Sequence, residues 1–175
     1  MAQITWSDHN EMKNGFKSDV TKFFGSKSIF IPNEVRISGM GFAFQPDGLI
    51  FSYNEKLEII FPEFKTASGI KDRKGIFFQL GKYNILKKYQ RDAFNSITDK
   101  LKRLEIAEHK AFIEKHWGSF KLFYEIRDKM KFSFQACLIK EGKDTYFIKF
   151  INETLPHVSI QTYNCNSLKT EEGFI

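Results

Sequence analysis

Few side chains of this chain are spaced for local chemistry, and each candidate meets an obstacle. His109 and His116 lie seven residues apart, so a helix would set both near one face, where a metal would still need further ligands. The two cysteines, Cys137 and Cys165, are too few for a zinc site without histidine help, and two unpaired thiols suit a reducing compartment. The run Gly75 to Tyr83 approaches a phosphate-binding loop. It has one residue too many, and Tyr83 stands where a Ser or Thr would have to reach magnesium. Glu171 and Glu172 fall in a polar tail, and Glu58 and Glu63 read as flanking a turn at Pro62, so no carboxylate pair is expected to work as acid and base. No catalytic residue, metal or cofactor is therefore expected.

Charge is the positive signal. Residues 64–104 hold eleven basic and three acidic residues, a net of +8, whereas the whole chain is +6. Such asymmetry implies an anionic partner. The residues expected to meet it are Lys71, Arg73, Lys74, Lys82, Lys87, Lys88 and Arg91. Lys71–Gly75 reads as a loop tip between strands, and Lys87–Lys88 as a strand-to-helix junction.

The elements that must carry these residues follow from patterning. At 175 residues, 42% hydrophobic and 27% charged, the chain has a globular balance and enough length for a core. Its 20 phenylalanines lack a polar handle and should be mostly buried. The start, Met1 to Asp8, lacks a basic segment followed by an apolar run, and no apolar stretch reaches the roughly 20 residues of a membrane span. A cytoplasmic location is expected.

Met12, Phe16, Val20 and Phe23 recur every three to four residues, which predicts a helix over 6–24. From Ser28 the period becomes two. Strands are expected at Ile29–Ile31, Val35–Ile37, Gly41–Phe44, Leu49–Tyr53, Leu57–Phe61, Gly75–Leu80 and Tyr83–Lys87, with Pro46-Asp47-Gly48 as a turn. A long helix over 90–117 carries Phe94, Ile97, Leu101, Leu104 and Ala111 on one stripe. Phe132–Ile139 and Thr145–Ile151 read as a hairpin around residues 140–144, followed by a strand at Val158–Tyr163 and a polar tail from about 164.

The segment 28–117 resembles the pleckstrin-homology-like superfold in its bacterial PH and GRAM-type versions. The likeness rests on Phe42 to Phe51, Leu57 to Phe64, Gly75 to Leu80 and Tyr83 to Leu86. It implies an α+β fold in which an antiparallel meander closes as a barrel capped by an amphipathic helix. An N-terminal helix (1–27) and a hairpin-containing, β-rich extension (118–175) would be added to it. Barrels of this kind serve lipid binding, peptide binding and scaffolding, so the fold alone does not fix function.

The resulting expectation is a non-enzymatic interaction module whose basic surface meets a protein partner, a second copy or another anion. Nucleic acid bound through residues 64–104 is the alternative, and an anionic lipid headgroup is a lesser one. A small conflict-system factor (inhibitor, immunity protein or toxin nuclease) also suits the size.

Overall fold

The computed structural model describes residues 5–37, 43 and 45–165. Along the chain run α1 (His9–Phe24), β1 (Ser28–Ile31), β2 (Leu49–Tyr53), β3 (Leu57–Lys65), α2 (Arg73–Leu86), α3 (Gln90–Arg103), α4 (Ala107–Trp117), α5 (Phe120–Ile126), β4 (Phe132–Lys140), α6 (Thr145–Thr154) and β5 (Val158–Thr162). The strands form one sheet in the order β1-β2-β3-β4-β5. The first three pair antiparallel as a meander, while β4 lies parallel to β3 and β5 parallel to β4. Parallel neighbours require crossovers, and helices supply them: α2 to α5 between β3 and β4, and α6 between β4 and β5.

This overturns the closed PH-like barrel. Among the described residues the sheet is open and mixed, with β1 and β5 as its edges, and six helices cover it. The predicted strands Gly75–Leu80 and Tyr83–Lys87 are instead helix α2 and the 3-10 turn after it. Ile76, Leu80, Tyr83 and Leu86 are its buried positions, at spacings of four, three and three. Exposed Phe78 and Ile85 hid that period. The predicted hairpin after β4 is also absent, because Thr145–Ile151 belongs to α6. There Phe147 and Ile151 face inward while Tyr146 and Phe150 face outward. Val35–Ile37 contributes only an isolated bridge at Ile37, and Gly41–Phe44 lies, apart from Ala43, outside the described residues, as does the tail from 166.

The helix expected over 90–117 is two. The inward stripe of α3 (Ala93, Phe94, Ile97, Leu101) resumes as Ile106, His109, Phe112 and Ile113, so the step from 101 to 106 breaks phase. The chain turns there at Glu105, which takes a positive φ of 50°. The N-terminal helix agrees with its expectation. Asp8 accepts the Glu11 amide at 2.9 Å, Glu11 accepts the Ser7 amide at 2.8 Å, and Gly25 closes the helix at φ 90°.

Three layers result. On one sheet face, Met12, Phe16 and Val20 of α1 pack on Phe30, Ile50, Ile60, Phe64 and Ile139. On the other, α2 to α6 cover Leu49, Phe51, Leu57, Ile59, Phe61, Ala136 and Leu138. Among the described residues no helix is long and apolar enough to cross a membrane. The buried carboxylate of Glu141 joins three distant segments. It accepts the Trp6 amide at 3.0 Å and the Ala67 amide at 3.0 Å, while its own amide donates to Lys65 O at 2.9 Å.

Candidate active site

Strand β3 is apolar from Leu57 to Phe61 and then carries Pro62-Glu63-Phe64-Lys65. Pro62 lies beyond the last β2–β3 pair, Ile50↔Ile60, where the ladder on that side has ended and a missing N–H is tolerated. The expected turn at Pro62 does not occur, since β3 runs unbroken to Lys65. Side chains alternate, so Glu63 and Lys65 share the face of Phe61, beneath α2. Continuing the β2–β3 register sets Asp47 opposite Glu63.

Asp47 is held there by its backbone. Gly48 packs so tightly on β1 that a Cβ would sit 2.6 Å from Ile31 O and 2.5 Å from the Phe30 ring. With Gly48 in that slot, Asp47 Oδ2 accepts the Phe64 amide at 2.7 Å. His9, the first residue of α1, brings Nε2 to 3.1 Å from the same oxygen. Glu63 is 1% exposed, and Lys65 Nζ stands 2.6 Å from its Oε1. Tyr83 of α2 stacks on Phe61 at 5.3 Å, and its hydroxyl hydrogen-bonds to Glu63.

The electrostatics are those of two carboxylates crowded in a dry place. Burial, and next the charge of Asp47, push the Glu63 carboxyl up to about 7, although Lys65 opposes the shift. Burial first and then Glu63 and Asp47 raise Tyr83 well above its ordinary value. A cation shared by Asp47 and Glu63 would relieve this repulsion. Among the described residues no three His, Cys, Asp or Glu side chains are grouped to hold a metal, which speaks against an all-protein zinc or calcium cage. Two carboxylate oxygens fit a smaller demand. Magnesium and manganese are hard ions commonly held by one or two carboxylates, with water and substrate phosphate filling the remaining positions.

The basic residues expected to share a surface separate into groups. Lys71 ends a 3-10 turn at Gly69–Lys71, and Arg73 and Lys74 open α2, all exposed. Lys82 is exposed in the later turns of the same helix, and Lys88 is exposed in the 3-10 turn Lys87–Tyr89, where only the backbone of Lys87 is described. Fourteen helical residues put about 20 Å between the two ends of α2. Arg91 is not available to an anion. It donates to Arg127 O at 2.9 Å and Met130 O at 3.1 Å, with its guanidinium 4.7 Å from the Phe132 ring centre.

The two helix histidines also part company. His109 is fully buried, with both ring nitrogens lacking hydrogen bonds, while His116 packs against Tyr53 and Phe112. A cleft of about 390 Å³ between α1, β1 and α4 lies at the opposite end of the sheet from Asp47, and its single carboxylate, Glu108, already pairs with Lys17 at 2.7 Å. Sequence reading missed Asp47, Glu63 and Lys65. The available signal was a charged Glu-x-Lys inside an otherwise buried strand, where such residues are rare unless paired or functional. No protein-family model, curated protein or solved structure matches the chain.

Proposed function

We propose that this protein is a divalent-cation-dependent phosphodiesterase acting on nucleic acid, with Asp47 and Glu63 as cation ligands and Lys65 as the positioned ammonium. The carrying observation is the buried Glu63 beside the part-buried Asp47, whose charge raises the Glu63 pKa, with Lys65 Nζ 2.6 Å from Glu63. The non-enzymatic module expected from sequence rested on the lack of a local catalytic motif, and the Asp47–Glu63–Lys65 cluster is what supports an enzymatic reading instead.

A bound cation would contribute Lewis acidity, lowering the pKa of a water and offsetting charge on phosphoryl oxygens. Hydrolysis then places the water oxygen on phosphorus, breaks the bond to the leaving oxygen and transfers a proton to that oxygen. Asp47 is fixed for its part by the Phe64 amide, and Glu63 by its place in the central strand. Lys65 can turn its ammonium from Glu63 toward the charge that develops on the phosphoryl group. The basic segment through α2 and α3 favours a polyanionic substrate over a small phosphate ester.

The test is cleavage of labelled DNA and RNA with magnesium or manganese, beside Asp47→Asn, Glu63→Gln and Lys65→Ala. Each variant should lose on the order of 10²–10³-fold in rate. A wild-type protein that cleaves no single- or double-stranded nucleic acid and shows no manganese-dependent rise in melting temperature would overturn the reading.

A further inference from the structure

Two helices begin at the sheet end that carries Asp47, Glu63 and Lys65. Lys65 leads through residues 66–72 into α2, and its ladder partner Lys140 leads through residues 141–144 into α6. The two connections are bound together. Glu141 bridges to Lys65 and Ala67, and Arg73 Nη2 donates to Asp144 Oδ2 at 2.9 Å. Asp144 also accepts the Phe147 amide at 3.1 Å and so caps α6.

Between the helices lies a cleft of about 340 Å³ lined by Arg73, Lys74, Phe77, Tyr146, Phe147 and Phe150. Phe147 faces the core and carries the Arg73 guanidinium 5.8 Å from its ring centre. Tyr146 and Phe150, one helical turn apart, are 86% and 47% exposed. Phe150 also packs on Phe77, with ring centres 5.4 Å apart. Phe147 and Ile151 make the core contact of α6, which leaves Tyr146 on the surface and Phe150 half-exposed against Phe77 at the cleft.

The charge around these rings selects the occupant. Arg73 and Lys74 line the cleft, and Lys71, Lys143 and Lys149 lie near its lining residues along the chain, against Asp72, Asp144 and Glu153. Asp72 accepts the Gly75 amide at 3.0 Å, Asp144 holds Arg73 and Glu153 stands 3.8 Å from Lys149, so all three acids are engaged within the protein, two of them by cations of this group. Flat aromatic faces within a cationic rim are the elements that hold unpaired bases and their phosphates. We infer that the α2–α6 cleft is a stacking site for unpaired bases of the nucleic-acid strand, so that the substrate presents a single-stranded segment to the Asp47–Glu63 site. This inference rests on the phosphodiesterase reading and specifies its substrate. A duplex buries its base faces in its own stack and could offer this cleft only phosphates.

The experiment separates the inference from its premise by measuring binding in EDTA, where no cation-dependent cleavage occurs. A fluorescein-labelled oligo(dT) of about twenty nucleotides and a blunt duplex of equal length would be titrated by anisotropy with the full chain and with the Tyr146→Ala, Phe150→Ala and double variants. The single strand should bind more tightly than the duplex, and each substitution should weaken it about 5- to 150-fold, the range for losing one stacked base. Tyr146→Trp should retain binding. Equal affinity for both forms, or oligo(dT) affinity unchanged in the double variant, overturns the inference. So does light scattering that shows a dimer abolished by the double variant, since the rings would then cover a second copy. Aromatic-dependent oligo(dT) binding by a protein that never cleaves with manganese would sustain the cleft and refute the active site.

Discussion

Protonation of one buried histidine should make the fold acid-sensitive. His109 of α4 is enclosed by Phe51, Phe120 and Phe123, at ring-centre distances of 5.4, 5.9 and 6.5 Å. Burial lowers its pKa from the ordinary 6.5 to about 4. Between those values the unfolded chain binds a proton that the native protein refuses, so stability is complete above pH 6.5 and declines as pH falls through 4. The full loss is about 3 kcal/mol, and at pH 5 about 2 kcal/mol has gone. In a chain of this size that lowers the melting temperature by about 4–8 °C. Glu63, whose folded-state pKa is raised, acts in the opposite direction over part of the window. The informative quantity is therefore the difference between wild type and His109→Leu. Thermal melts from pH 7.5 to 5 should show the leucine variant gaining on wild type as pH falls. Parallel curves, or an NMR titration placing His109 at or above 6.5, would refute the reasoning.

Other perturbations probe the site and its frame. Glu63→Gln removes a buried charge while Lys65, still 21% exposed, can return to water, so the variant should be more stable to chemical denaturation by on the order of 1–3 kcal/mol. The same variant should show no manganese-induced stabilisation in calorimetry. Gly48→Ala drives a methyl into Ile31 O and Phe30, so it should cost about 1–3 kcal/mol and weaken manganese binding together, because the residue before it is Asp47. Arg91→Ala should lower chemical-denaturation stability by about 1–3 kcal/mol, through the carbonyls it leaves unpaired, without changing oligonucleotide affinity. Lys74→Ala should instead leave stability unchanged and reduce the slope of log affinity against log salt by about 0.7.

The sequence was readable where one face of an element was apolar and the other polar. Helix α1 meets that condition and was anticipated closely. Strands β2 and β3, apolar on both faces, were legible as short apolar runs bounded by turn residues, with β3 running four residues past its expected end. Helices α2 and α6 do not meet it, because Phe78, Ile85, Tyr146 and Phe150 are apolar and exposed. Their aromatic residues on successive positions imitate strands, and that imitation produced both the false barrel and the false hairpin. Two of the exposed residues, Tyr146 and Phe150, line the α2–α6 cleft, so in α6 the pattern failed where side chains serve something other than the core. The carboxylate pair was hidden for another reason. Asp47 and Glu63 are sixteen residues apart, and only the β2–β3 register makes them neighbours. Taken singly, Pro46-Asp47-Gly48 is a turn and Glu63 a charge beside a proline.

Glu141 carries a consequence for folding. Its carboxylate ties Trp6 to a position 135 residues later, and the strand it follows is joined to β3 only after four helices have intervened. Contacts of such separation are slow to form, because loop closure must be completed before any of their stabilisation is realised. His9 is placed three residues after Trp6, and the Lys65 carbonyl accepts the Glu141 amide at the same junction. The carboxylate site should therefore assemble among the last events of folding. Cation binding would then report completion of the whole fold, and a partly folded chain would have the ligands without the site.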